Sequence, residues 1–211
     1  MRVIWGALLG AVVLSGCATN RGEMRLDVAQ SANGGAGRTA FVDEVVDARV
    51  FENEPSDPSV PSLKGKTGAS ADPAIKAKAI ARKRNGFGQA LGDIMLEDDQ
   101  TVVGVTRDLL RAALASAGYR VVESRDQLGS DGIEVDARIE KFWGWFTPGF
   151  WSVTMEARIE TPLVVTADGQ QRELAIRAYG KNSGQSGREG NWVEAYRRTF
   201  EDYKAKAADA L

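Results

Sequence analysis

Histidine is absent from the 211 residues and cysteine occurs once, at Cys17. Without an imidazole the chain lacks the commonest general base near neutral pH and the commonest metal ligand. Ser-His-Asp hydrolysis, HExxH zinc chemistry and Cys-His nucleophilic mechanisms are therefore excluded. A lone cysteine leaves the domain beyond it without a disulfide, a thiolate metal site or a Cys nucleophile. No metal and no cofactor is expected. Charge of one sign is not in excess either: leaving out Arg2, 26 basic residues stand against 29 acidic ones, a net charge of −3. That balance argues against a nucleic-acid partner. The chain also has no long hydrophobic run; its most apolar stretch, Val3 to Leu14, is twelve residues, too short to span a bilayer as a helix.

What that stretch does have is the order of a signal peptide, with Arg2 as the positive n-region, the apolar run behind it and the small residues Ser15 and Gly16 after it. Leu14-Ser15-Gly16-Cys17 resembles the lipobox of bacterial lipoproteins, which implies a signal peptide over residues 1–16, cleavage after Gly16 and acylation of Cys17. Each buried methylene of an acyl chain contributes about 0.8 kcal/mol, so two or three chains, with palmitate among them, make a stable membrane anchor. Ala18 and Thr19 follow the cysteine, where an Asp is the usual inner-membrane retention signal. By resemblance to that sorting rule, the expected location is the cell envelope, on the periplasmic face of the outer membrane.

Residues 17–38 then read as a lipidated N-terminus and short tether, with a possible strand at Met24 to Val28 and a Gly-rich end. Residues 39–211 read as a single periplasmic α+β domain, large enough to bury a core. Thr39 to Val50 predicts a strand. Three of the six prolines, Pro55, Pro58 and Pro61, fall in the next stretch and make residues 52–98 a long loop insertion. Within it, Asp72 to Arg84 predicts a short basic helix, with Asp72 as cap and Pro73 in the first position. Apolar residues at spacings of three and four predict a helix over Thr101 to Ala117, closed by Gly118.

Strands are predicted at Tyr119 to Glu123, Ile133 to Glu140, Ser152 to Val165 and Arg172 to Lys181. Turns near Thr147-Pro148-Gly149 and at Asp168-Gly169 make the last three a meander. Asn191 with Glu194 resembles a capping box, and Trp192, Tyr196, Phe200, Tyr203 and Ala207 form the apolar stripe of a terminal helix. The economical arrangement is an antiparallel sheet of about four to five strands with two main helices packed on one face, an α/β sandwich.

The helix ending at Ala117-Gly118-Tyr119, the strand after it, the long hairpin and the terminal helix, together with the lipobox, resemble the YajG family of uncharacterised bacterial lipoproteins. The resemblance implies the same sandwich and an envelope location, and brings no site residues. The insertion at 52–98 departs from it. The auxiliary lipoproteins of ABC-type lipid transport systems share this style of domain and give a second resemblance.

Two segments stand out as candidate sites. Arg82, Lys83 and Arg84, followed by Gly86, Gly88 and Gly92, concentrate charge and glycine in a way that suits a phosphate or carboxylate; the spacing matches no phosphate-loop motif, and a solvated basic loop is the reading that charge runs favour. Phe142, Trp143, Trp145, Phe146, Phe150 and Trp151 crowd one hairpin end. Neighbours on a strand point to opposite faces, so some of these lie outside the helix-covered core. They then form an exposed partner-binding surface, or the 52–98 segment folds back over them. The acidic residues Asp43, Glu44 and Asp47 read as a solvent face. No catalytic constellation is present, so no enzyme activity is expected. The expected role is binding or scaffolding another envelope component, with an envelope protein as the expected partner; the alternative is lipid handling within a transport system, which calls for an apolar cavity. Oligomeric state is not legible.

Overall fold

The computed structural model describes residues 22–31, 37–64, 68–85, 89–97, 99–149 and 151–211. Cys17 with the signal segment, Phe150, and Gly86 to Gly88 lie outside the described residues. Strands β1 (Gly22–Met24) and β2 (Thr39–Asp47) come first, followed by the single-turn helix α1 (Pro73–Lys76) and strands β3 (Ala79–Arg84) and β4 (Ala90–Leu96). Helix α2 (Val102–Ser116), β5 (Arg120–Val122), β6 (Ile133–Ile139), β7 (Lys141–Pro148), β8 (Val153–Ala167), β9 (Gln170–Gly184) and helix α3 (Glu189–Ala210) complete the order.

The strands form one curled mixed sheet of nine, organised on β8. Its 15 residues pair antiparallel with β9 along one edge. Along the other edge they pair with β7 and then β6, which lie end to end with a break at Glu140, whose N–H reaches the Glu160 carbonyl at 3.0 Å. The two halves of that broken strand carry different neighbours. β6 pairs in parallel with β2, and β2 with β5; β7 pairs in parallel with β3, whose antiparallel partner β4 holds β1.

The expected four-to-five-stranded antiparallel sheet is thus overturned: among the described residues the sheet has nine strands, four of its pairings are parallel, and there are three α-helices. The shortfall lies mainly in residues 52–98. The helix begun by Asp72, whose side chain accepts from the Ala74 N–H at 2.8 Å, ends at Ala77. Residues 79–84 become β3 because they gain partners on both edges, a tertiary gain that overrides weak local preference. The stretch read as tether likewise contributes β1.

Periodic segments behave as their spacing requires. Ile133, Val135, Ala137 and Ile139 of β6 and Met155, Ala157 and Ile159 of β8 are buried. Asp168 and Gly169 both take positive φ, 51° and 73°, the signature of a two-residue turn that matches strand twist. Helix α2 is capped by Thr101, which accepts from Gly104 N–H at 3.1 Å, and closed by Gly118 at φ 92°. The expected Asn191 cap of α3 is replaced: the helix starts at Glu189, and Asn191 instead donates to Ser186 O and accepts from Asn182.

Apolar side chains gather on both faces of the sheet. The larger cluster lies under α2 and α3, where the Phe142 ring stacks on Tyr196 at 5.3 Å, and the hydroxyls of Tyr196 and Tyr203 are satisfied by Ile80 O and Thr161, each at 2.6 Å. The smaller, on the opposite face, joins Phe51, Leu63, Ala79, Met95, Trp143 and Trp145 beneath the segment that follows β2.

Candidate ligand-binding site

The β3–β4 hairpin organises one end of the molecule. Its mouth is closed by Asn85 and Gln89, whose backbones and amide side chains bond reciprocally at 2.8–2.9 Å. Strand alternation splits the basic triplet: Arg82 and Arg84 line a pocket of about 480 Å³ with Glu54, Pro55, Ser56, Gln89 and Ala90. Lys83 lines instead a cleft of about 290 Å³ under the start of α3, with Leu91, Phe146, Val153, Gly187 and Trp192. Arg84, at the strand end, belongs to both linings. A small adjoining space of about 70 Å³ brings Gly22, Met24 and Ile94 against Lys83 and Trp192.

The cleft is mostly apolar, with the two cations among its lining residues. Trp192 is 1 % exposed, and its indole N–H has no hydrogen-bond partner among the described residues. Gly144 makes room for it: a Cβ there would meet the Trp192 ring at 3.1 Å.

In the other pocket Arg84 is fixed by donating to Pro55 O at 3.1 Å and Ser62 Oγ at 3.3 Å. Arg82 is 4 % exposed and stands 4.0 Å from Asp93, whose carboxylate already accepts the Lys64 N–H. Burial pushes both guanidinium groups below their ordinary pKa, and for Arg82 the Asp93 carboxylate opposes that push.

The aromatic hairpin is divided in the same way. Phe142 faces α3, whereas Trp143 is covered by the 51–64 segment, where Pro58 O accepts its indole N–H at 3.2 Å and Phe51 meets it edge-on at 5.9 Å. Trp145 is 7 % exposed, packed near Tyr179 and Arg158. An exposed six-residue aromatic surface is thus corrected: Phe142, Trp143 and Trp145 are core, Phe146 is half-buried in the cleft, Phe150 is outside the described residues, and Trp151 is 87 % exposed. The sequence reading missed Leu91, Val153 and Trp192 as cleft residues; Trp192 had been absorbed into the apolar stripe of α3, and nothing in the local pattern marks the other two.

Elsewhere, Asp43, Glu134 and Asp136 bring carboxylate oxygens within 4.8 Å of one another. Arg125 reaches Asp43 at 2.8 Å and Glu134 at 2.5 Å, so a fixed cation already serves the cluster. An open groove of about 590 Å³ on the wet face is lined by Glu44, Asp136, Arg138 and Glu173 among small apolar side chains, and its mixed charges define no ligand.

No family model matches the chain, and no curated protein matches it. Among solved structures it is similar to an uncharacterised protein, at 12 % identity and a TM-score of 0.42 over 90 % of this chain and 96 % of that one. It is also similar to protein XCC0632 from Xanthomonas campestris, of the DUF330 family, at 10 % identity and a TM-score of 0.44 over 90 % and 88 % of the two chains.

Proposed function

We propose that the chain is an envelope lipoprotein, anchored through acyl groups on Cys17 to the periplasmic face of the outer membrane, that binds an anionic amphiphile in the cleft beneath α3. The observation that carries this reading is the cleft's composition and place. Leu91, Phe146, Val153 and Trp192 provide an apolar wall for an acyl chain, and Lys83 and Arg84 provide charge for a head group. At about 290 Å³ the space is at the low end of the roughly 300–1,000 Å³ of small-molecule sites, enough for part of one chain. β1 enters the sheet beside it, with Gly22 next to Lys83, which supports an anchor near the cleft if the chain is acylated at Cys17, five positions earlier in sequence.

Burial of Phe142, Trp143 and Trp145 leaves Trp151 as the exposed aromatic of that hairpin among the described residues, which favours lipid handling over scaffolding of a protein partner. The role is one of binding, without a chemical step.

Every described element lies within residues 22–211, so a chain of residues 18–211 keeps all of them. Native mass spectrometry of this domain after incubation with envelope lipid extract is expected to show a retained anionic lipid or fatty acid. Leu91→Trp, which fills the cleft from a half-buried position, is expected to emerge bare while melting within a few degrees of the parent. A parent domain that is bare under the same conditions overturns the reading.

A further inference from the structure

Two arginines of this domain are almost fully buried, and they are treated in opposite ways. Arg49, with a side chain 0 % exposed, uses all its donors: Asp47 takes two, and the carbonyls of Ala79, Phe142 and Lys76 take three, at 2.6–3.1 Å. The Arg82 side chain, with the residue at 4 % exposure, makes no hydrogen bond to any described residue, and its Nε is fully buried without a partner. Its one ion pair, to Asp93, is long at 4.0 Å, and Asp93 is engaged by the Lys64 N–H. A guanidinium carries five N–H groups in a planar fork, and burying them unpaired is costly enough that native structures almost always supply a partner.

The surroundings say what kind of partner fits. Arg84 points into the same pocket from two positions along β3, held in place by Pro55 O and Ser62. Two like charges on one strand face repel unless an anion stands between them. The wall opposite is the 54–56 segment, in which Glu54 holds φ at 50°. A non-glycine residue in the left-handed region is strained by about 1–3 kcal/mol, and such positions cluster at ligand clamps. Glu54 is exposed; its carboxylate attracts the Arg82 charge through space but makes no hydrogen bond to the guanidinium.

We propose that the pocket between β3 and residues 54–56 is a second binding site, adjoining the amphiphile cleft and sharing Arg84 with it, for a phosphoryl oxyanion gripped by the Arg82 and Arg84 guanidinium forks. Planar forks match phosphate oxygens in a bidentate way that a lysine cannot. The oxyanion comes either free or as the phosphodiester of a lipid head group, since the pocket recognises the same oxygens in both.

The test uses residues 18–211 and inorganic phosphate, with chloride at equal ionic strength as the reference. At about 100 times its dissociation constant, phosphate is expected to raise the melting temperature by about 5 °C or more. Arg82→Gln is expected to weaken phosphate binding by at least about tenfold in calorimetric titration, while melting no lower than the parent in phosphate-free buffer. Ser56→Glu, which leaves β3 untouched and sets a carboxylate at the pocket wall, is expected to abolish the response. Leu91→Trp is expected to retain it, which separates this site from the cleft. Sedimentation with phosphatidylglycerol vesicles identifies the source: weaker sedimentation of Arg82→Gln assigns a lipid phosphodiester, and unchanged sedimentation alongside the lost phosphate response assigns a free phosphate. A parent domain that does not respond to phosphate, or a response that survives both Arg82→Gln and Ser56→Glu, overturns the proposal, as does an Arg82→Gln domain that unfolds while the parent ignores phosphate.

Discussion

Arg49 stands where the sheet divides. β2 ends at Asp47 and departs, β3 begins at Ala79, and the β6–β7 strand breaks at Glu140, so backbone carbonyls at this seam lose their ladder partners. Arg49 supplies the missing donors, and its guanidinium also lies 5.2 Å from the Phe51 ring centre at the start of the covering segment. Arg49→Met would take the donor from three carbonyls and leave the Asp47 carboxylate only the residue-49 backbone N–H, at 3.2 Å. Removing one partner of a buried charge pair costs about 3–5 kcal/mol, and that loss is expected as a lowered urea midpoint with an unchanged slope. Arg49→Lys is expected to recover little, because a point charge cannot reach carbonyls on three segments. A loss under about 1 kcal/mol in both variants would mean that the strands hold the seam unaided. In the sequence, Arg49 looks like any charged residue after a strand; its role depends on four segments that meet only in the fold.

At the scale of elements, helix α3 and strand β9 meet at Gly180. A Cβ there would lie 2.4 Å from the Thr199 backbone N and 2.6 Å from the Ala195 carbonyl oxygen, distances that only a shift of the helix relieves. The close approach brings the Thr199 hydroxyl to Ala157 O at 3.3 Å across the strand pair. Gly180→Ala is therefore expected to lower stability by about 1–3 kcal/mol, the range for an overpacked core, and to show as faster amide exchange in α3. Retention of wild-type exchange in α3 would show that β9 moves instead. Both elements were legible in the sequence, as were α2, β6 and β8, because each is long enough for its apolar period to show. β3 and β4 were not: six or seven residues carrying Ala, Arg, Lys and Gly have no clear period, and Asp72-Pro73 before them is a true helix start that stops after one turn. The basic triplet was visible as a candidate, but the face each residue takes became readable only once residues 79–84 were a strand. The pairings of β2 with β6 and β3 with β7 join segments far apart in the chain, and local periodicity carries no trace of them.

For the molecule as a whole, the proposed anchor raises the question of which end would meet a membrane. β3 and β7 run in parallel to the end that holds Arg84 and Thr147, and there the β7–β8 turn carries the exposed Trp151. The ladder places Val153 of β8 beside Gly184 of β9 at this end and sets the Asp168-Gly169 turn at the other. Gly22 enters β1 beside Lys83, and the direction of β1, parallel to β4, carries the chain inward from the Arg84 end. Four residues, and so five chain steps, separate Cys17 from Gly22, a reach of roughly 17 Å when extended. An acylated Cys17 would therefore hold this end against the bilayer, with Trp151 at the depth where indole rings settle and with the mouth of the cleft open to lipid. Because an acylated Cys17 leaves no other thiol in the chain, Trp151→Cys gives a protein that takes one environment-sensitive probe. In reconstituted membranes that probe is expected to emit at shorter wavelength and to be quenched by spin-labelled lipid, whereas a probe at the exposed Gln171, beside the opposite turn, is expected to remain in water. Equal exposure of both probes would detach the cleft from the bilayer and require the amphiphile to reach it through the periplasm.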